Sequence, residues 1–158
     1  MRFLKEIFIK IIYVFLLIYL IIFIPKLFGY NPLVVISGSM EPTLKVGGLL
    51  YYEEIDINDF KEKDILVYEL KDHIISHRVV EHLDNGFITK GDANQTKDMN
   101  PVNYNNYMGK VVLSIPVIGG IAQSLTTGSG KIALFCLIAF ILLLEVLGSL
   151  LHKVEFKK

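Results

Sequence analysis

Disulfide chemistry within the chain is excluded at once, because Cys136 is the sole cysteine. It lies in an apolar run, where a lone cysteine is a small hydrophobe, and it carries no information on redox compartment. Net charge is missing too: sixteen Lys and Arg balance sixteen Asp and Glu. No basic patch runs through the middle of the chain, so nucleic acid is not an expected partner. The sequence has no internal repeat and no low-complexity tract. What it has in excess is apolar residues, 53% of 158, high for a soluble protein of this size.

Two segments hold much of that excess. The first runs from Ile11 to Ile24 and extends backward through Ile7, Phe8 and Ile9, interrupted by Lys10. At about 1.5 Å per helical residue, Ile7 to Ile24 crosses most of a hydrocarbon core about 30 Å thick. A cleavable leader is the competing reading. The run is long for one, and Pro25-Lys26-Leu27 follows it where a small-x-small cleavage site would stand, so an uncleaved anchor is expected. The second run, Ile132 to Leu151, also has spanning length. Glu145 inside it is costly in hydrocarbon, but lies only about 9 Å along the axis from the helix end, close to the far interface. A contact with another membrane protein is the alternative role for it.

Arg2, Lys5 and Lys10 precede or enter the first span, and Lys153, Lys157 and Lys158 follow the second. The positive-inside rule puts both termini in the cytoplasm and the intervening segment outside. That segment carries short β-branched and aromatic runs: Leu33–Ile36, Leu49–Tyr52, Ile65–Tyr68, Ile74–Ser76, Phe87–Thr89 and Lys110–Ile115. Gly47-Gly48, Asp84-Asn85-Gly86, Gly91-Asp92 and Asn100-Pro101 punctuate them, with Asp84-Asn85-Gly86 reading as a hairpin turn. No helical period competes with this pattern. The expectation is a mainly β protein: a small antiparallel β domain between an N-terminal and a C-terminal transmembrane helix. Its boundaries are 1–25 for the first tail and span, 26–122 for the β domain, 123–131 for a linker, 132–151 for the second span and 152–158 for the tail.

Reactive groups concentrate in three segments: Ser37-Gly38-Ser39-Met40-Glu41-Pro42-Thr43-Leu44, Ser76-His77-Arg78-Val79-Val80, and Lys90-Gly91-Asp92-Ala93-Asn94-Gln95-Thr96-Lys97-Asp98. A serine hydroxyl needs a base to become a nucleophile, histidine titrates in the range that suits a base, and a carboxylate can hold the imidazole in one tautomer. Residue types alone leave plainer readings open. Ser37 and Ser39 can serve a glycine-containing turn, His77 can be a hydrogen-bonded strand residue, and Asp92 and Asp98 can be loop chemistry.

Taken together and in order, SGSMEPTL, SHRVV and KGDANQTKD resemble the motifs of type I signal peptidases, in the endoplasmic-reticulum-type branch that carries histidine where most bacterial enzymes carry lysine. The resemblance extends over the first span and the outer segment to about Val112. It implies a membrane serine endopeptidase that cleaves secretory signal peptides, with preproteins and the bilayer as partners, membrane partner subunits as a further option, and no cofactor or metal. It implies Ser39 as nucleophile, His77 as general base and then acid, and Asp98 as the support of His77. Asp92 matches a second acidic position that supports the site or its geometry. The Ser39 amide and the Ser37 hydroxyl would form the oxyanion hole. Leu33, Val34, Val35, Ile36 and Met40 would line shallow pockets for small side chains. A more specialised membrane endopeptidase and a non-catalytic subunit of a complex are the alternative functions.

Other chemistries fit less well. Lys71 as a lysine base stands next to Asp72 and close to Glu69, which favour a solvated, charged amine. His73 and His77 have the spacing of a helical metal pair, but lie in a run that reads as strand. His82 and His152 read as surface residues.

Overall fold

The structure, a computed structural model, describes residues 2–126 and, beyond them, the isolated helical positions 128, 132, 135, 136, 138–140, 143 and 148. The expected second span over 132–151, apart from those positions, lies outside the described residues, as do Glu145 and the tail 152–158. The chain divides into two compact units, residues 1–20 with the described part of 123–158, and residues 21–122. The second unit carries the sheet and the reactive segments.

Helix α1 spans Arg2–Phe23. Its sequence is free of glycine and proline, and Pro25 stops the α-helical ladder by lacking an N–H to give it. The chain tightens into a single 3₁₀ stretch, Ile24–Phe28, and ends at Gly29, whose φ of 89° suits a residue without Cβ. Among the described residues one segment is long and apolar enough to cross a membrane, Ile9–Phe28, with a mean hydropathy of 2.6. Tyr13, Val14, Leu17 and Ile21 on it are exposed. Within the second unit, the buried Tyr51 phenol donates to the Ile22 carbonyl at 3.0 Å.

The described strands are β1 (Asn31–Val34), β2 (Leu49–Glu53), β3 (Ile65–Leu70), β4 (His73–Leu83), β5 (Gly86–Lys90), β6 (Val102–Asn103) and β7 (Tyr107–Ile115). All pair antiparallel in one sheet, in the order β1-β2-β7-β3-β4-β5-β6. The antiparallel β expectation is met, and six strands overlap the runs read from sequence. The hairpin at Asp84-Asn85 joins β4 to β5, with Leu83 paired to Gly86.

Alternation along β3 separates the core into two parts. Leu66 and Tyr68 point to one face, where they pack with Phe60, Val79, Phe87 and Val102. Val67 points to the other, with Val35, Met40, Leu44 and Leu50. Met40 and Leu44, each 1% exposed, anchor the turn that contains Ser39 into the second part. Each such side chain contributes about 1.5–3 kcal/mol by leaving water. After β7 the chain forms a short helix, α2 (Gly119–Thr126). Residues 123–126, expected as the start of a polar linker, are its second half. The Gly119 amide donates to the Gly47 carbonyl at 2.9 Å, a backbone approach that a Cβ at Gly119 would block.

Candidate active site

His77 lies on β4 opposite Leu66 of β3, on the same face as Val79. Val79 pairs with Thr89 of β5, so His77 and Thr89 are diagonal neighbours on adjacent strands. The chain then leaves β5 through Lys90-Gly91-Asp92 and loops back. The Asp98 amide donates to the Thr89 carbonyl at 2.9 Å. This return brings the Asp98 carboxylate to the imidazole, with Oδ2 at 2.6 Å from His77 Nδ1. On the other side of the ring, Nε2 stands 3.1 Å from Ser39 Oγ.

Three segments far apart in sequence thus meet in one hydrogen-bonded line. With the Nδ1 proton directed at the carboxylate, Nε2 carries the lone pair and can accept from the serine hydroxyl. The site is partly enclosed: the His77 and Asp98 side chains are 11% and 23% exposed. The Tyr68 ring packs edge-on against the imidazole, with ring centres 6.4 Å apart. Burial pushes the Tyr68 phenol pKa up, a hydrogen bond with Thr89 pulls it the other way, and the Asp98 charge adds to the rise.

The turn that presents Ser39 is held from two sides. Below, Met40 and Leu44 are buried. Beside it, the Ala93 amide donates to the Ser39 carbonyl at 2.9 Å. A Cβ on Gly91 would lie 2.6 Å from that same carbonyl oxygen and 2.7 Å from the Asn94 side chain. Gly91 is therefore required for space rather than for turn conformation. Ser37 Oγ is 3.4 Å from Ser39 Oγ, and no described residue accepts from the Ser39 amide.

Asp92 goes elsewhere. His77 and Arg78 are consecutive on a strand and point to opposite faces. Arg78 holds Asp92 with a two-pronged grip, Nε to Oδ1 at 2.7 Å and Nη2 to Oδ2 at 2.5 Å. Thr43 donates to the same carboxylate at 2.6 Å, and Arg78 Nη1 reaches the Lys63 carbonyl at 2.5 Å. The Arg78 hydrogen bond holds the Asp92 carboxyl below the usual carboxylate range, against a smaller opposing push from burial, and Thr43 adds to the lowering. Asp92 accordingly ties the 39–43 turn to β4 without bonding to His77.

Other expected positions fall in varied places. Lys71 occupies the tip of the β3–β4 hairpin and is exposed. Met40 and Val35, expected to line pockets, are buried in the core beneath the turn, whereas Ile36 is 77% exposed. His82 is exposed and packs on Phe87 with ring centres 5.0 Å apart. Sequence reasoning missed Thr43 and Thr89. The signal for Thr89 was its place two residues after Phe87, on the core face of a strand.

The arrangement has the parts of a serine acyl-transfer site on an antiparallel β sheet. No family model matches the chain. It is 35% identical over 88 residues to signal peptidase I W of Bacillus subtilis, covering 52% of this chain and 46% of that protein. It is 37% identical over 100 residues to the signal peptidase complex catalytic subunit SEC11 of Colletotrichum graminicola, covering 54% of this chain and 58% of the relative. Against human SEC11C the identity is 39% over 72 residues, covering 41% and 38%. The chain spans about half the length of the first of these relatives. The resemblance read from the three motifs is borne out: the chain is a homologue of signal peptidase I and of SEC11 catalytic subunits.

Proposed function

We propose that the chain is a membrane-bound serine endopeptidase that removes N-terminal signal peptides from preproteins. The observation that carries this reading is the continuous line Ser39 Oγ, His77 Nε2, His77 Nδ1, Asp98 Oδ2, with contacts of 3.1 and 2.6 Å. His77 takes the Ser39 proton as Oγ attacks the scissile carbonyl, and Asp98 stabilises the imidazolium that results. The Ser39 amide and the Ser37 hydroxyl donate to the oxyanion. His77 then gives its proton to the leaving amine, and water, deprotonated by the same ring, releases the acyl group. Asp92 keeps the nucleophile turn in register through Arg78 and Thr43.

The anchor serves the same chemistry. A preprotein's apolar leader enters the bilayer, and its cleavage site emerges close to the surface, where an enzyme tethered by α1 meets it at high effective concentration. The lysines and arginine before and within the first span place that tail in the cytoplasm and the sheet outside, with the second span returning the chain. Domain boundaries follow from the same reading: a span ending near residue 25, a peptidase domain over 26–122, and a second span over 132–151. On this reading Ile36, exposed and three residues before Ser39, borders a pocket for a small side chain ahead of the scissile bond.

The test is direct. Purified full chain in liposomes is given a preprotein, and the new N-terminus of the product is sequenced. Cleavage after a small-x-small site is expected. Cleavage at another motif would assign a more specialised endopeptidase, and no cleavage would refute the reading.

A further inference from the structure

Among the described residues, tyrosines apart, two polar side chains are buried, His77 and Thr89. The first is explained by the site. Thr89 is 0% exposed, on β5 next to the edge strand of the antiparallel sheet, where a valine would fill the same space without a hydroxyl to satisfy. Its hydroxyl neighbours the Tyr68 phenol, and its proton goes to the catalytic loop: Oγ1 donates to Asp98 Oδ2 at 2.7 Å. That is the same oxygen that meets His77 Nδ1. The Thr89 carbonyl meanwhile accepts from the Asp98 amide.

Asp98 sits in the irregular stretch between β5 and β6. Its neighbours give it little support, since Met99 is 98% exposed and Lys97 faces outward to Glu81 at 3.1 Å. A carboxylate on such a loop samples several rotamers unless something fixes it. Thr89 grips it by backbone and side chain at once. We infer that Thr89 is a positioning residue for the Ser39–His77–Asp98 site. Its hydroxyl fixes which carboxylate oxygen meets the imidazole and draws off part of that oxygen's charge. The inference rests on the reading of this site as catalytic. The other groups around Thr89 are the neutral Tyr68 phenol from β3 and the His77 ring from β4, while the Arg78–Asp92 pair starts from the opposite face of β4.

Thr89→Val keeps the branched shape and deletes the donor, and Thr89→Ser keeps the donor. In the full chain in micelles, Thr89→Val should lower kcat about tenfold to a hundredfold, the value of one hydrogen bond to a charged group, and leave KM nearly unchanged. The acid limb of its kcat/KM profile should move to higher pH, because a carboxylate with one donor fewer holds the imidazolium more tightly. Thr89→Ser should restore rate and profile. A purely structural threonine would reduce the folded fraction and leave the profile in place. Nitrogen-15 spectra of the histidine ring give a readout independent of cleavage: the Nδ1–H resonance that reports the contact with Asp98 stays in place in Thr89→Ser and moves in Thr89→Val. Wild-type spectra together with a wild-type pH profile in Thr89→Val would overturn the inference. Altered spectra in a chain that cleaves nothing would sink the peptidase reading and leave the positioning role standing.

Discussion

Replacing Asp98 by asparagine separates the two services a carboxylate can offer an imidazole, orientation and charge. In the structure both the His77 Nδ1 and Thr89 Oγ1 contacts converge on Oδ2. An asparagine that places its carbonyl oxygen at the Oδ2 position accepts from both donors, and its amide nitrogen takes the place of Oδ1. The tautomer with the Nδ1 proton is then retained and only the charge is lost. With the charge centres about 5 Å apart and an effective dielectric near 20, the imidazolium forfeits about 3 kcal/mol. That is a fall of roughly a hundredfold in kcat. Asp98→Ala removes both services and should fall further, by about 10³–10⁴. The assay is single-turnover cleavage of a preprotein at saturating enzyme, which reads the chemical step. Equal losses in the two variants would refute this reasoning, because they would mean that the amide turns its nitrogen to His77 and imposes the wrong tautomer. An Asp98→Asn variant with wild-type rate would deny the carboxylate any electrostatic role.

Asp92→Asn should weaken folding by about 1–3 kcal/mol at neutral pH, through the lost charge-assisted bonds to Arg78, measured by urea unfolding in detergent. Because the folded state depresses the Asp92 pKa below its ordinary value of 3.8, the wild type's advantage is full above that value and disappears as pH falls through the lower folded value. The wild-type and Asp92→Asn stability curves should therefore converge in acid; parallel curves would count against the Arg78 pair. Gly91→Ala drives a methyl to 2.6 Å from the Ser39 carbonyl, so the nucleophile turn must shift. We expect at least about a tenfold drop in kcat from that displacement, read in the same cleavage assay.

Much of the sheet was legible in the sequence because its inward positions alternate cleanly. The runs at Leu49–Tyr52 and Ile65–Tyr68 became β2 and β3 with little change. Strand β6 was not legible: two residues, Val102 and Asn103, give no period to read. The β3–β4 hairpin was hidden for another reason. Lys71 and Asp72 take φ of 50° and 64°, the left-handed values of a two-residue turn that glycine or asparagine usually marks. Register imposed by the Leu66–His77 pairing overrides their local preference.

The reactive residues were visible as motifs, yet their partnerships were not. Nothing in the order Gly91-Asp92…Asp98 says that the first aspartate is taken by Arg78 and the second by His77. That division follows from strand geometry, which turns His77 and Arg78 to opposite faces. The pockets assigned to Val35 and Met40 failed for a related reason. A motif does not reveal which of its apolar residues anchor the turn from below, and these two are drawn into the core beside Leu44.

Conversion of Ser39 to alanine, assayed with the purified full chain on a preprotein in liposomes, addresses the nucleophile itself. Cleavage should vanish while the protein stays folded, since Ser39 is not part of either buried core cluster. A folded Ser39→Ala chain that still released the mature protein at the wild-type rate would contradict the proposed hydroxyl chemistry.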